Sequence, residues 1–143
     1  MYITLEIDYA IRIVDFIARE NDLAGASAIA EKTGIPLRFA KNILQKLVKA
    51  RIINSYMGIY GGYELAKDKK NISLYDIIEV IDGPINLNRC LLEDEVCTCV
   101  PDKQCPYRDL FRNLSREMEA KLRRINFAST ISGWKKYNKD TNV

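Results

Sequence analysis

The stretch that decides the fold is GIPLRFAKNILQKLVKARIINSYMGIYGGY, Gly34 to Tyr63. Gly34-Ile35-Pro36 makes a tight turn, and Pro36, with its fixed φ and missing N–H, suits the first position of a new helix. Leu37, Ala40, Ile43, Leu44, Leu47 and Val48 then recur at helical spacing, which predicts a helix over 36–49 that buries this face. Its other face presents Arg38, Lys41, Asn42, Gln45, Lys46 and Lys49. Two short β-type runs come next, 51–56 and 62–66, around Gly58, Gly61 and Gly62. Glycine accepts positive φ without steric cost, so these runs are expected to form a hairpin.

A helix, a tight turn, a basic helix and a glycine-rich hairpin, in that order, make a winged helix-turn-helix, whose second helix lies in the major groove of duplex DNA. Charge supports this reading. The chain carries a net charge of only +3, yet from Lys32 to Tyr63 there are six Lys or Arg and no Asp or Glu. This stretch is a local positive footprint, and double-stranded operator DNA is the expected partner. Arg38, Asn42 and Gln45 have planar forks that match base edges, so they are the candidate base readers. Lys41, Lys46 and Lys49 are the candidate phosphate contacts, and Ser55, Tyr56 and Tyr60 would reach from the wing to backbone or minor groove. A dimer that neutralised about six phosphates would show a log–log salt slope near about −5.

Outward from this centre, Ile7, Ala10, Ile11, Val14, Ile17 and Ala18 form one helical stripe over 7–19, and Ser27 to Lys32 is a short helix with Ile29 and Ala30 inward. Ser73 with Asp76 predicts an N-cap, and the helix after it buries Leu74, Ile77, Ile78 and Ile81 until Asp82-Gly83-Pro84 stops it. Pro106 starts a long helix to about residue 126, with Tyr107, Leu110, Leu114, Met118, Leu122 and Ile125 on one face. That face is too long for so small a core, so a homodimer through 106–126 is expected. The tail around Trp134 is expected to fray after about residue 137. The fold class is therefore mainly α: a winged helix-turn-helix domain at 1–84 with a two-stranded wing, a cysteine-rich loop at 85–105, and a dimerisation helix and tail at 106–137.

At 143 residues the chain fits one domain plus an oligomerisation element. Glu6, Asp8, Arg12 and Asp15 interrupt the first apolar residues, so no secretory h-region is read there, no run is long enough to cross a membrane, and a cytoplasmic location is expected. There is no histidine and no glycine-rich phosphate loop of recognised spacing, so the reading is not an enzyme. The four cysteines, Cys90, Cys97, Cys99 and Cys105, are spaced C-x6-C-x-C-x5-C. Zinc knuckles use C-x2-C pairs, and none is present. Single thiolates five to eight residues apart suit a wider iron–sulfur cluster, and Arg89, Lys103 and Arg108 would offset its charge. A zinc-stabilised DNA-binding protein and a metal-free, thiol-based redox regulator are the alternatives.

The chain resembles the iron–sulfur-dependent winged-helix repressors of the IscR and nitric-oxide-sensing NsrR type. The matching residues are Asp8-Tyr9-Ala10, Ile29-Ala30 with Gly34-Ile35-Pro36, Leu47-Val48-Lys49-Ala50, the wing from Ser55 through Gly58, Gly61-Gly62-Tyr63 and Leu65-Ala66, Ile72-Ser73-Leu74 and Cys105-Pro106. The resemblance implies a cluster, 4Fe–4S or 2Fe–2S, whose state senses redox, nitric oxide or iron status and controls operator affinity. It implies Cys90 as first ligand, Cys105 as third, and Cys99 in the middle with Cys97 as the alternative. Some members take a fourth ligand from an acidic residue of the partner's first helix, a position Asp8 matches. Members commonly carry Arg before the first wing glycine, whereas Met57 stands here, so a guanidinium contact is missing.

Overall fold

A computed structural model of the protein describes residues 3–92, 97–98 and 105–140. The elements run α1 (Leu5–Arg19), α2 (Ala26–Thr33), α3 (Leu37–Lys49), β1 (Ile53–Tyr56), β2 (Gly62–Leu65), α4 (Leu74–Asp82), α5 (Pro106–Arg123) and α6 (Phe127–Asp140). Short 3-10 turns occupy Lys69–Asn71 and Arg89–Leu91.

α1 begins where the Thr4 hydroxyl accepts from the Ile7 N–H at 3.3 Å, which satisfies one of the donors a helix start leaves open. Its apolar stripe serves two packing units. Ala10, Ile13, Val14 and Ile17 join Ile29 of α2, Ile43, Leu44 and Leu47 of α3, Ile52, Ile53, Ile72 and Ile77 in the main core. Ile7 instead packs with Tyr75 and Ile78 of α4 and with Ile85, and Met118 and Leu122 of α5 close this smaller cluster.

α2 ends on Gly34, held in the left-handed region at φ 70°, and α3 starts with Pro36 as its cap rather than its first residue. Ala40, Ile43, Leu44 and Leu47 are buried as the spacing predicts. Leu37 is not: it lies on the correct face but in the first turn, beyond the reach of the neighbouring elements, and is exposed. Arg51 then turns the chain into β1 at φ 60°, a left-handed conformation that costs a non-glycine residue about 1 kcal/mol. β1 and β2 pair antiparallel, Ile53 opposite Leu65 and Tyr56 opposite Gly62.

α4 opens with a full capping box, Ser73 and Asp76 each bonding the other's backbone N–H. The same corner receives the far end of the chain. Leu74 N–H donates to the Ile125 carbonyl at 2.9 Å and Phe127 N–H to the Ile72 carbonyl at 3.2 Å. This tie breaks the long helix expected to reach residue 126, and α5 stops at Arg123. Beyond the break the chain forms a further helix, not a polar tail. Phe127 and Ile131 of α6 are buried in the main core, and α6 packs along α1. Sequence periodicity missed it because only these two large apolar residues face inward before the polar Lys135-Lys136.

Removing the Phe127 ring should therefore destabilise the whole N-terminal module and not just the last helix. Phe127→Ala should lose about 3–5 kcal/mol in chemical denaturation. A truncation-like loss of α6 helicity alone, with an unchanged midpoint, would contradict this packing.

Candidate functional site

Two places concentrate the residues singled out by sequence. The first is the exposed side of α3 with the hairpin beside it. Arg38, Lys41, Asn42, Gln45 and Lys49 all face solvent there, and none is taken up by an ion pair among the described residues. Four of the helix's inward positions are clamped in the core, so these outer side chains stand on a rigid support. Phe39, exposed on the same helix and meeting the Tyr9 ring edge-on at 6.5 Å, was not anticipated. It stands off the stripe of Leu37, Ala40, Ile43 and Leu44 that the spacing marks as the inward face.

Lys46 behaves differently from its neighbours. Its Nζ lies 2.6 Å from Glu6 Oε1 on α1, so this amine is engaged within the protein instead of free for phosphate. Both side chains are more than a third exposed, which leaves the pair open to solvent competition. On the wing, Ser55 and Tyr60 are exposed, whereas the Tyr56 hydroxyl donates to Glu64 Oε1 at 2.7 Å. The neighbouring carboxylate raises the Tyr56 pKa through that hydrogen bond, and the phenol remains neutral. Tyr63 ties the hairpin to the rest of the domain by exchanging backbone hydrogen bonds with Ala24, at 2.9 and 3.3 Å.

The second place is a cavity of about 320 Å3 between the Arg89–Leu91 turn and the start of α5. Cys90, Cys97 and Cys105 all line it, with Arg89, Tyr107 and Arg108. Cys105 caps α5 immediately before Pro106, so its position is fixed by the helix start. The Arg108 Nε, one turn into α5, is buried and has no hydrogen-bond partner among the described residues. A buried N–H of a cation without an acceptor is costly. Cys99 lies outside the described residues. Among the described residues no three Cys, Asp or Glu side chains gather closely enough to hold a single metal ion. The donors that do line the cavity, soft thiols beside Arg89 and Arg108, are of the chemical type that an iron–sulfur group takes. Asp8 does not line this cavity within its own chain; its carboxylate is 2.6 Å from Arg12.

No helix among the described residues is long and apolar enough to cross a membrane. A helix-turn-helix with a two-stranded wing and a basic outer face defines a winged-helix transcriptional regulator that binds DNA. Residues 3–133 match the Rrf2 family, described as an iron-dependent transcriptional regulator, and the chain belongs to that family. It is 32% identical over 117 residues to an rrf2-like HTH-type transcriptional regulator of Rhodobacter capsulatus, covering 76% of this chain and 78% of that protein. It is 27% identical over 104 residues to the regulator IscR of Klebsiella pneumoniae, covering 73% of this chain and 62% of IscR. Among solved structures, CymR, the global cysteine regulator of B. subtilis, superimposes with a TM-score of 0.73 at 24% identity, over 92% of this chain and 97% of CymR. IscR of T. potens gives 0.72 at 20% identity, over 93% and 88%. These relatives are transcriptional regulators and not enzymes, and so is this chain.

The Lys46–Glu6 pair makes a testable demand on the DNA-facing helix. Glu6→Gln should free the amine, tighten binding to duplex DNA, and steepen the log–log salt slope by up to about 1. Titrations at several salt concentrations measure both, and an unchanged slope would mean that Lys46 reaches no phosphate.

Proposed function

We propose that the chain is a homodimeric, cytoplasmic repressor of transcription whose grip on a double-stranded operator is set by an iron–sulfur cluster. The observation that carries this reading is the cavity lined by three thiols and by Arg108, whose buried Nε has no hydrogen-bond partner among the described residues. Cys90, Cys99 and Cys105 would hold the cluster. The presence of Cys97 on the cavity wall supports it as the alternative middle ligand. When bound, the cluster supplies a group that responds to oxidants, nitric oxide or iron supply, as 4Fe–4S or 2Fe–2S.

The protein's own residues make the connection to DNA. Cys105 sits at the first turn of α5, so strain on this thiol acts on that helix directly. Asp8 stands on the first turn of α1, two residues from Glu6, which holds Lys46 of α3. If Asp8 reaches the partner subunit's cavity, it must leave Arg12. A shift of the α1 start would then be felt at the recognition helix through the Glu6–Lys46 pair. A coupling of about 1.4 kcal/mol would change operator occupancy tenfold. Arg38, Asn42 and Gln45 would read bases, with Lys41 and Lys49 on phosphates.

Support for the dimer comes from α5. Met118 and Leu122 are covered by the chain's own smaller cluster, but Tyr107, Leu110 and Leu114 are 67%, 52% and 40% exposed. Such a row on one helix face calls for a partner helix. Leu110→Glu combined with Leu114→Glu should halve the mass measured by light scattering. A native mass that is already monomeric would end the proposal of a dimer.

Oxygen-free purification with iron and acid-labile sulfide quantitation tests the cluster. Wild type should be brown, and Cys90→Ala and Cys105→Ala colourless with weakened response to oxidants. Cys99→Ala and Cys97→Ala decide the middle ligand, and Asp8→Ala should retain iron less well. Colourless protein that contains zinc, or that contains no metal yet changes DNA affinity on thiol oxidation, would replace the cluster reading with one of its rivals. The likeness to CymR, named for cysteine regulation, is the observation that favours the metal-free rival.

A further inference from the structure

The tip of the wing carries an unusual set of side chains. Met57, Ile59 and Tyr60 are 95%, 96% and 94% exposed, and none joins either core cluster. Large apolar groups so fully presented to water on a short hairpin have no role in folding. Isolated exposed apolar residues are ordinary, but three within four positions form a patch.

The patch is held stiffly. Gly58 turns at φ 98°, and Gly61 N–H donates back to the Gly58 carbonyl at 3.0 Å. A Cβ at position 61 would collide with the Tyr56 carbonyl oxygen and the Met57 backbone. Gly62, at φ 147°, passes so close to the Ala24 backbone that a Cβ there would lie 2.8 Å from its oxygen. Ala24 thereby pins the second strand where it leaves the turn, and the glycines close the turn itself, which leaves the three side chains as its leading edge.

The surroundings identify the occupant. Positions 52–63 contain no charged residue, and the stretch from Lys32 has cations only. The hairpin leaves directly from the end of the recognition helix, where Ile52 N–H donates to the Leu47 carbonyl at 3.0 Å. A polyanion that follows the recognition helix onto the wing meets a single carboxylate on the hairpin, Glu64 in β2, whose Oε1 is held by the Tyr56 hydroxyl. Proteins that bend DNA insert apolar side chains between base steps in the minor groove, and pyrimidine–purine steps yield most easily to this.

We propose that Met57, Ile59 and Tyr60 form an apolar wedge that enters the operator's minor groove and partly unstacks a flexible pyrimidine–purine step there. This rests on the DNA-binding reading and adds how the wing selects its site. Three uncharged side chains make a contact that depends on shape, so this part of the recognition is indirect readout of deformability and is insensitive to salt. A TA step under the wing should be favoured over stiff steps of the same A·T content.

The test uses duplexes enriched from a random pool by the full wild-type chain. Affinity is measured against salt, bending by end-to-end energy transfer, and unstacking by 2-aminopurine fluorescence at the wing-facing step. Met57→Ser with Ile59→Ser should weaken binding about tenfold, leave the salt slope unchanged, reduce the bend and abolish the fluorescence rise. Met57→Arg should instead steepen the slope by about 1 and lose the preference for TA. Thermal melting of both variants should match wild type, because the side chains pack on nothing. Equal affinity and bend in the serine variant would overturn the wedge, as would a loss that appears only as a shallower slope. A wild-type chain that enriches no duplex at all would remove the DNA-binding reading itself, and the wedge with it.

Discussion

The apolar stripe of α1 is the contact on which the remaining elements depend. One edge of it, from Ala10 to Ala18, is shared with α2, α3, the hairpin and α6, while Ile7 belongs to the cluster that holds α4 and α5, and Ile11 touches both. A helix that serves two packing units cannot shift for one without disturbing the other, because interiors are close-packed and yield in discrete rearrangements. The unit that carries α3 and the unit that carries α4 and α5 are thus joined by a rigid rod and not by a linker. Of the charged residues at its start, Glu6 holds Lys46 of α3 and Asp8 holds Arg12.

The surface of α3 shows how a charge pattern differs from an interface. Sequence marks Lys46 and Lys49 as equivalent cations, yet one is held by Glu6 and the other points outward. Arg51 tolerates a backbone conformation that glycine would adopt without strain, and the basic strip thereby extends one residue further toward the wing.

Much of this was legible from side-chain spacing. The stripes of α1 and α3, the Ser73–Asp76 cap and the glycine-closed hairpin each obey local rules that involve a few neighbouring residues, and the structure contains all of them. The misses involve partners far apart in the chain. Leu37 has the correct periodicity but no covering element, and α6 was invisible because Phe127 and Ile131 gain their meaning only against α1. The bond of Leu74 to Ile125, which ends α5 early, is likewise a contact between distant segments. In the cysteine loop, spacing suggested shared coordination, and three of the thiols do line one cavity.

The late arrival of Phe127 and Ile131 has a consequence for biosynthesis. Translation delivers the recognition helix and every cysteine before the residues that complete the hydrophobic interior. The emerging polypeptide must therefore pass through a stage in which its thiols are all outside the ribosome while its nucleic-acid reader is not yet fully consolidated.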